Sequence, residues 1–424
     1  MTSILIPSQT MPHPAHSVRA ANVVLEQLLR ALAVDKNVTV TFLPVLIGSG
    51  AVITEAEMKT LADLRSAGMR VAEPLRLPKP QQKPPRSPLQ RLLDPQIEYL
   101  QPIVAHRALA NAAVGREKPD WLMTVWSEPL TALFADAPVR KFAYYGNPDP
   151  KNLRARISLL ERESGSLVQK LRHRLAEREM ETAHLQMMAS WDIVGNVAAL
   201  DADYYRRKGH RRAIYIQNVW IDRFGWPEVE RRRKAVDAAA GAEAPIQIVA
   251  NLGKLGGTAN TYGLIYLGDE LLPQLRRRFG SQPFELHVYG AGEPHELART
   301  GLAQKEVRLR GFVNDIDGEM MEKPIFLCVN NATDYNVGHT RYLHAFTLGC
   351  CVVGSDRTGL AMPEIRHGDN SLLGRDARDI AEHVVEAAND PALRARLGES
   401  GYHTFEREFR APVVAQRIVD EIHR

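Results

Sequence analysis

The sequence predicts an α/β fold built from two tandem doubly wound domains. Three observations carry that expectation. Short apolar runs alternate with amphipathic helical stretches, a rhythm that requires crossover connections and parallel sheets. The rhythm occurs twice, on either side of residues 231–244, where Arg231-Arg232-Arg233-Lys234 gives way to small residues. The chain has 424 residues, enough for two or three domains of about 100–200 residues each. The expected division is residues 1–220 and 221–404, with a last helix at 405–424 packing back on the first domain. Sheets of this kind take ligands beyond the carboxyl ends of their strands, so an interdomain cleft is the expected substrate site.

The elements follow in order. Ile4–Pro7 reads as the first strand, and a loop with His13, His16 and Arg19 follows it. A helix from about Asn22 to Ala33 has apolar residues at three-to-four spacing. Further strands are expected at Val38–Phe42, Asp120–Trp126, Lys141–Tyr145, Asp192–Gly195 and Ala213–Ile216. Pro78 to Pro88 holds five prolines, which predicts an irregular mobile loop because proline removes donors and restrains its neighbour. Lys151 to Met188 reads as a basic amphipathic helix, broken near Ser164-Gly165-Ser166. In the second half, strands are expected at Ile246–Ala250, Glu285–Tyr289, Val307–Arg310, Ile325–Val329 and Cys350–Gly354. Helices are expected at Thr261–Leu275 and Thr340–Leu348.

Composition excludes several classes. Apolar residues make up 45% and charged residues 25%, ordinary globular proportions. No apolar run reaches the ~18 residues of a membrane span. The first residues lack the basic-then-apolar pattern of a secretory signal. Cys328, Cys350 and Cys351 sit in apolar runs without metal-ligand spacing, which predicts reduced core thiols in a cytoplasmic protein. The net charge of +4 hides an asymmetry: residues 1–244 carry +8 and residues 245–424 carry −4. That split argues against one nucleic-acid-binding surface and for two domains with different partners.

Two stretches carry chemistry. The strand at Ile246–Ala250 runs into Gly253-Lys254-Leu255-Gly256-Gly257-Thr258, with a helix opening near Thr261. Such a turn aims backbone N–H groups at one spot, and the helix dipole and Lys254 add positive charge. It suits a phosphate or pyrophosphate, although a flexible turn without ligand fits the same residues. The second stretch, Asn330 to Arg341, follows the strand at Ile325–Val329. Thr340 looks like a cap or first-turn residue. Arg341 makes the helix start an anion site, with His344 on the same face. Asn336 and Gly338 lie just before it.

At these residues the second half resembles the nucleotide-sugar-binding domain of family-four-type glycosyltransferases, which have the GT-B fold. Ile246–Gly257, Asn260–Leu275 and Leu286–Gly292 resemble its opening strand, glycine turn, helix and following Gly-x-Gly. Val307–Asp315, Gly338–Gly349 and Pro363–Leu373 resemble its later segments. Asp192–Tyr204 and Ile216–Asp222 resemble the passage between its domains. The resemblance implies donor contacts from Gly253, Gly256, Gly257, Thr258, Gly290, Phe312, Val313, Asn336, Gly338, Thr340, His344 and Glu364. The family has two glutamates eight apart in this region; here Asn336 and His344 stand at those places. Asn251 stands where a basic residue is expected, leaving the diphosphate charge to Lys254 and Arg341.

The expected activity is transfer of a sugar from a nucleotide-diphosphate donor to a glycan or lipid-linked acceptor, as in cell-surface polysaccharide synthesis. The resemblance implies retention at the anomeric carbon. No metal and no cofactor beside the donor is expected, since fixed cations can meet the leaving diphosphate. Asp315-Ile316-Asp317 forms Asp-x-Asp, a metal-diphosphate pattern, but in a loop where helix capping explains it. The catalytic candidates are Arg341 and Lys254, with His16 and Asn147 on the acceptor side. The basic segment 151–188 either packs on its sheet or lies on an anionic membrane surface, at the inner face of a membrane. A catalytically silent sugar- or nucleotide-binding homologue serving as a partner subunit, and a nucleotide-sugar epimerase, remain alternatives.

Overall fold

The computed structural model describes residues 1–13, 19–48, 50–79, 86–163, 166–239, 244–333 and 335–424. The chain forms two compact units, Met1–Ile216 with Val414–Arg424, and Gln217–Val413. The passage from one unit to the next lies at 216/217 rather than 220/221. The returning segment is Val414–Arg424 rather than 405–424, because the helix Pro391–Glu408 stays with the second unit.

The first unit is built on a parallel sheet of β1 (Thr2–Ser8), β2 (Val38–Ile47), β3 (Arg70–Val71), β4 (Leu75–Leu77), β5 (Trp121–Val125), β6 (Arg140–Tyr145), β7 (Ile193–Asn196) and β8 (Ala213–Tyr215). The order is β3-β2-β1-β5-β6-β7-β8, with β4 on β2. The central strands are buried on both faces, as continuous apolar sequence in a parallel sheet requires: Ile4, Leu5, Ile6, Leu122, Met123, Phe142 and Ala143 have almost no exposure. The short β3 and β4 lack an apolar run long enough to announce them.

The expected helix over 151–188 is two helices, Asp149–Glu163 and Leu167–Ala189. Ser166 caps the second, accepting from the Gln169 N–H. Only its C-terminal half packs inward, through Ala183, His184 and Met188. Leu167, Val168, Leu171 and Leu175 stay exposed. The expected proline-rich loop falls largely on residues outside those described.

The second unit holds β9 (Ile246–Asn251), β10 (Phe284–Tyr289), β11 (Val307–Gly311), β12 (Ile325–Cys328), β13 (Cys351–Ser355) and β14 (Leu372–Gly374). All pairs are parallel, in the order β11-β10-β9-β12-β13-β14. The strand order reverses between β9 and β12, where such a sheet opens a ligand crevice. The helix after β9 begins at Thr258, earlier than its apolar period suggests. It passes through a π turn at Leu267–Leu271 into Leu272–Phe279. Pro273 cannot donate within a regular helix, and the π turn absorbs that gap. Gly268 crosses Gly301 there, so closely that a Cβ on Gly268 would lie 2.6 Å from the Gly301 Cα. Cys328, Cys350 and Cys351 are free and buried.

Candidate functional site

The carboxyl ends of β9, β10 and β12 gather the candidate site of the second unit. After β9, the chain turns through Gly253, which takes φ +97°. Gly257 then caps the helix Thr258–Tyr266 with extended backbone and no side chain of its own. The N–H groups of that first turn are therefore left for a ligand or water. Gly290, at the end of β10, has φ +154°. A Cβ there would fall 1.8 Å from the Gly253 carbonyl oxygen, so only glycine lets the two turns stack. Gly256 is less tightly held: a Cβ on it would meet the Glu293 carbonyl oxygen at 3.1 Å.

Arg341 reaches this turn from the helix Thr340–Thr347. Its Nη1 donates to Asn260 Oδ1 at 2.6 Å, and its Nη2 would lie 3.8 Å from a Cβ on Gly253. Asn260 is the hub. Its Oδ1 also accepts from Asn330 Nδ2 at 3.0 Å, and its Nδ2 donates to the Lys254 carbonyl oxygen at 2.7 Å. Because guanidinium can only donate, the Asn260 amide is oriented with oxygen toward Arg341. Burial lowers the Arg341 pKa, since little water shares its charge. Among the described residues no carboxylate pairs with Arg341 or with Lys254. A partly buried guanidinium beside a neutral amide and a glycine turn is an unbalanced positive charge, and an anion would complete it.

The remaining donor candidates are spread around this centre. Thr340 is the first helical residue, and His339 stands at the cap without making a side-chain cap bond. Asn331 holds the loop before it, exchanging two bonds with Val337 at 3.0 and 3.1 Å. Asn336 is buried, and its Oδ1 has no partner among the described residues; Gly338 follows, half-buried. Phe312 is 59% exposed, an open ring of the kind that can stack, with Val313 half-buried beside it. Glu364 Oε1 accepts from Gln217 Nε2 at 2.7 Å.

His344, on the same helix as Arg341, is held by its own neighbours. It is buried, with its ring 5.4 Å from that of Trp220. Its Nε2 lies 2.5 Å from Asp317 Oδ1, and Arg223 Nε lies 3.8 Å from Asp317 Oδ2. The Asp-x-Asp pair is thereby divided. Asp315 caps the helix Ile316–Met321, accepting from the Gly318 N–H at 2.9 Å. Asp317 is buried, and its carboxyl group is partnered by His344 and Arg223. Among the described residues no group of three or more His, Cys, Asp or Glu is placed to hold a metal.

In the first unit, Asn147 follows β6, and its buried Oδ1 lacks a partner among the described residues. His16 lies outside the described residues. Neighbouring strand ends hold groups that pattern alone does not announce. Trp126, after β5, has φ +47°, a conformation that costs a non-glycine residue about 1–3 kcal/mol and gathers at functional sites. Glu128, two residues on, has its pKa pushed up to about 7, first by burial and then by Asp149. Asp149 is held by Tyr99 Oη at 2.9 Å and Tyr145 Oη at 3.1 Å. Asn260 and Glu128, which the sequence does not single out, matter through neighbours distant in the chain, Arg341 and Asp149, while Trp126 stands out by its backbone alone.

Comparison with known proteins gives a consistent picture. Residues 247–390 match the family described as "Glycosyl transferases group 1". No curated protein matches the chain. Among solved structures, sucrose-phosphate synthase from Thermosynechococcus elongatus is similar at TM-score 0.64 and 13% identity, covering 100% of this chain and 98% of that one. HepE from Anabaena, solved in complex with UDP and glucose, is similar at TM-score 0.59 and 14% identity over 100% of both chains. A glycosyltransferase from Rickettsia africae is similar at TM-score 0.56 and 11% identity, over 99% of this chain and 97% of that one. Those identities speak to the fold, and the family match speaks to the second unit. Residues 247–390 are thus similar to the glycosyl transferases group 1 domain, and the chain as a whole has the GT-B fold of these solved structures.

Proposed function

We propose that the chain transfers a sugar from a nucleotide-diphosphate donor to a glycan or lipid-linked acceptor, with retention and without a metal, in cell-surface polysaccharide synthesis. The observation that carries this reading is the partly buried Arg341, unpaired with any described carboxylate and facing the Gly253 turn. Departure of a sugar leaves negative charge on the diphosphate. Arg341, Lys254 and the N–H groups at the Thr258 helix start supply fixed positive partners for it. HepE was solved with UDP and glucose, which supports a donor of this class. In a retaining reaction the leaving phosphate itself takes the acceptor's proton. On the first unit, Asn147 and Glu128 are the groups proposed to meet acceptor hydroxyls. Release of nucleoside diphosphate on adding donor and a glycan or polyprenyl-phosphate acceptor tests the reading. Donor binding without release, across a panel of both substrates, overturns it.

A second reading has its own observation. His344, at the position of a family glutamate, is engaged by Asp317 rather than held open. That arrangement suits a silent homologue that binds a nucleotide sugar as a partner subunit, and binding without turnover is the result that would select it.

A further inference from the structure

The helix Leu167–Ala189 leaves its apolar side in water over its first half. Leu167 is 85% exposed, Val168 61%, Leu171 60% and Leu175 55%. At 100° per residue these four fall within about a 100° arc. An isolated exposed leucine is ordinary, but a contiguous stripe marks an interaction surface. The stripe does not arise from a loose helix. The capping box of Ser166 and Gln169 sets its start, and Ala183, His184 and Met188 anchor its other end in the first unit.

Charge says what covers it. Lys170, Arg172, Arg174 and Arg178 are exposed on the same stretch, and among the described residues none pairs with a carboxylate. The acidic residues nearby are engaged elsewhere. Glu177 pairs with Arg154 at 3.7 Å, Glu179 with Arg91 at 2.6 Å, and Glu161 with His173 at 3.0 Å. The leucine stripe is thus framed by net positive charge. A second copy of the same face would bring these cations against their own kind. An anionic lipid surface satisfies both parts, with headgroups for the cations and the acyl boundary for the leucines. No described helix is long and apolar enough to cross a membrane, so the contact would lie in the interface plane.

We infer that the stretch Leu167–Arg178 is a docking face for a membrane surface rich in anionic phospholipid. This inference stands on the first unit's surface and does not depend on the donor site. The test is co-sedimentation of the full chain with vesicles of phosphatidylcholine alone and with phosphatidylglycerol added, at low and high salt. The expected result is binding to the anionic vesicles, weakened by salt. Leu167→Ser with Leu171→Ser should reduce it at least about tenfold, and Lys170→Glu with Arg174→Glu should reduce it comparably at low salt. Thermal melts of both variants should lie close to the parent's, since these side chains are mostly exposed. Absence of parent binding to any vesicle overturns the inference. So does unaltered binding by both folded variants. A concentration-dependent dimer that the leucine variant dissolves, without vesicle binding, would assign the face to a second copy instead.

Discussion

Arg341 concentrates the physical argument of the donor site. Its guanidinium is partly desolvated, hydrogen-bonded to Asn260 and unmatched by any described carboxylate. Charge-assisted hydrogen bonds are worth about 1.5–3 kcal/mol each. Arg341→Ala should therefore weaken nucleotide-diphosphate binding by roughly 10–100-fold in calorimetry. Lys254 is exposed, so Lys254→Ala should cost less and its effect should shrink with salt. Glu128 gives a separate titration. Its pKa is pushed up to about 7 from an ordinary 4.5, mainly by burial. A raised carboxyl binds its proton more tightly folded than unfolded. The stability it confers is whole below about pH 4.5 and is lost as pH rises through about 7, a swing of order 3 kcal/mol. Unfolding in denaturant across pH 5–8 should show that decline, and Glu128→Gln should flatten it. A parallel slope in the variant would assign the titration elsewhere.

Elements show where sequence reasoning reaches and where it stops. The central strands of both sheets were legible because buried parallel strands are written as unbroken Val, Ile and Leu runs. Their helices were legible by period, to within a few residues. The glycine turn after β9 and the Arg341 helix start were legible because they obey local rules of φ and helix polarity. Short strands such as β3 and β14 were not, since their pairing depends on neighbours rather than on their own residues. Nor was the engagement of Asp317 by His344, which joins two segments 27 residues apart. Gly290 illustrates a motif whose reason emerges from packing alone. Gly290→Ala would drive a methyl into the Gly253 carbonyl. It should lower stability by more than about 2 kcal/mol or displace the turn, visible as a lower Tm together with weaker donor binding. An unaltered Tm and affinity would show that the two turns are not stacked.

At the level of the whole molecule, the +8 and −4 division acquires specific owners. The unit assigned to the anionic donor is the acidic one, so its affinity depends on local groups rather than on bulk field. The basic excess includes the unpaired cations of the Leu167–Ala189 helix. The chain's end belongs to its beginning. Val414, Ile418, Val419 and Ile422 are buried in the first unit, and Glu421 accepts from Arg212 at 2.7 Å through its carbonyl. Truncation after Val413 should therefore destabilise the first unit while leaving the second unit's nucleotide site in place, read as a lost or lowered melting transition with donor binding retained. The central claim is that Arg341 and the Gly253 turn hold the donor diphosphate, and isothermal calorimetry of nucleotide-sugar binding to the parent chain and to folded Arg341→Ala tests it most directly. The account predicts measurable affinity in the parent for at least one nucleotide sugar and at least about a tenfold loss in the variant; equal affinity in the two would contradict it.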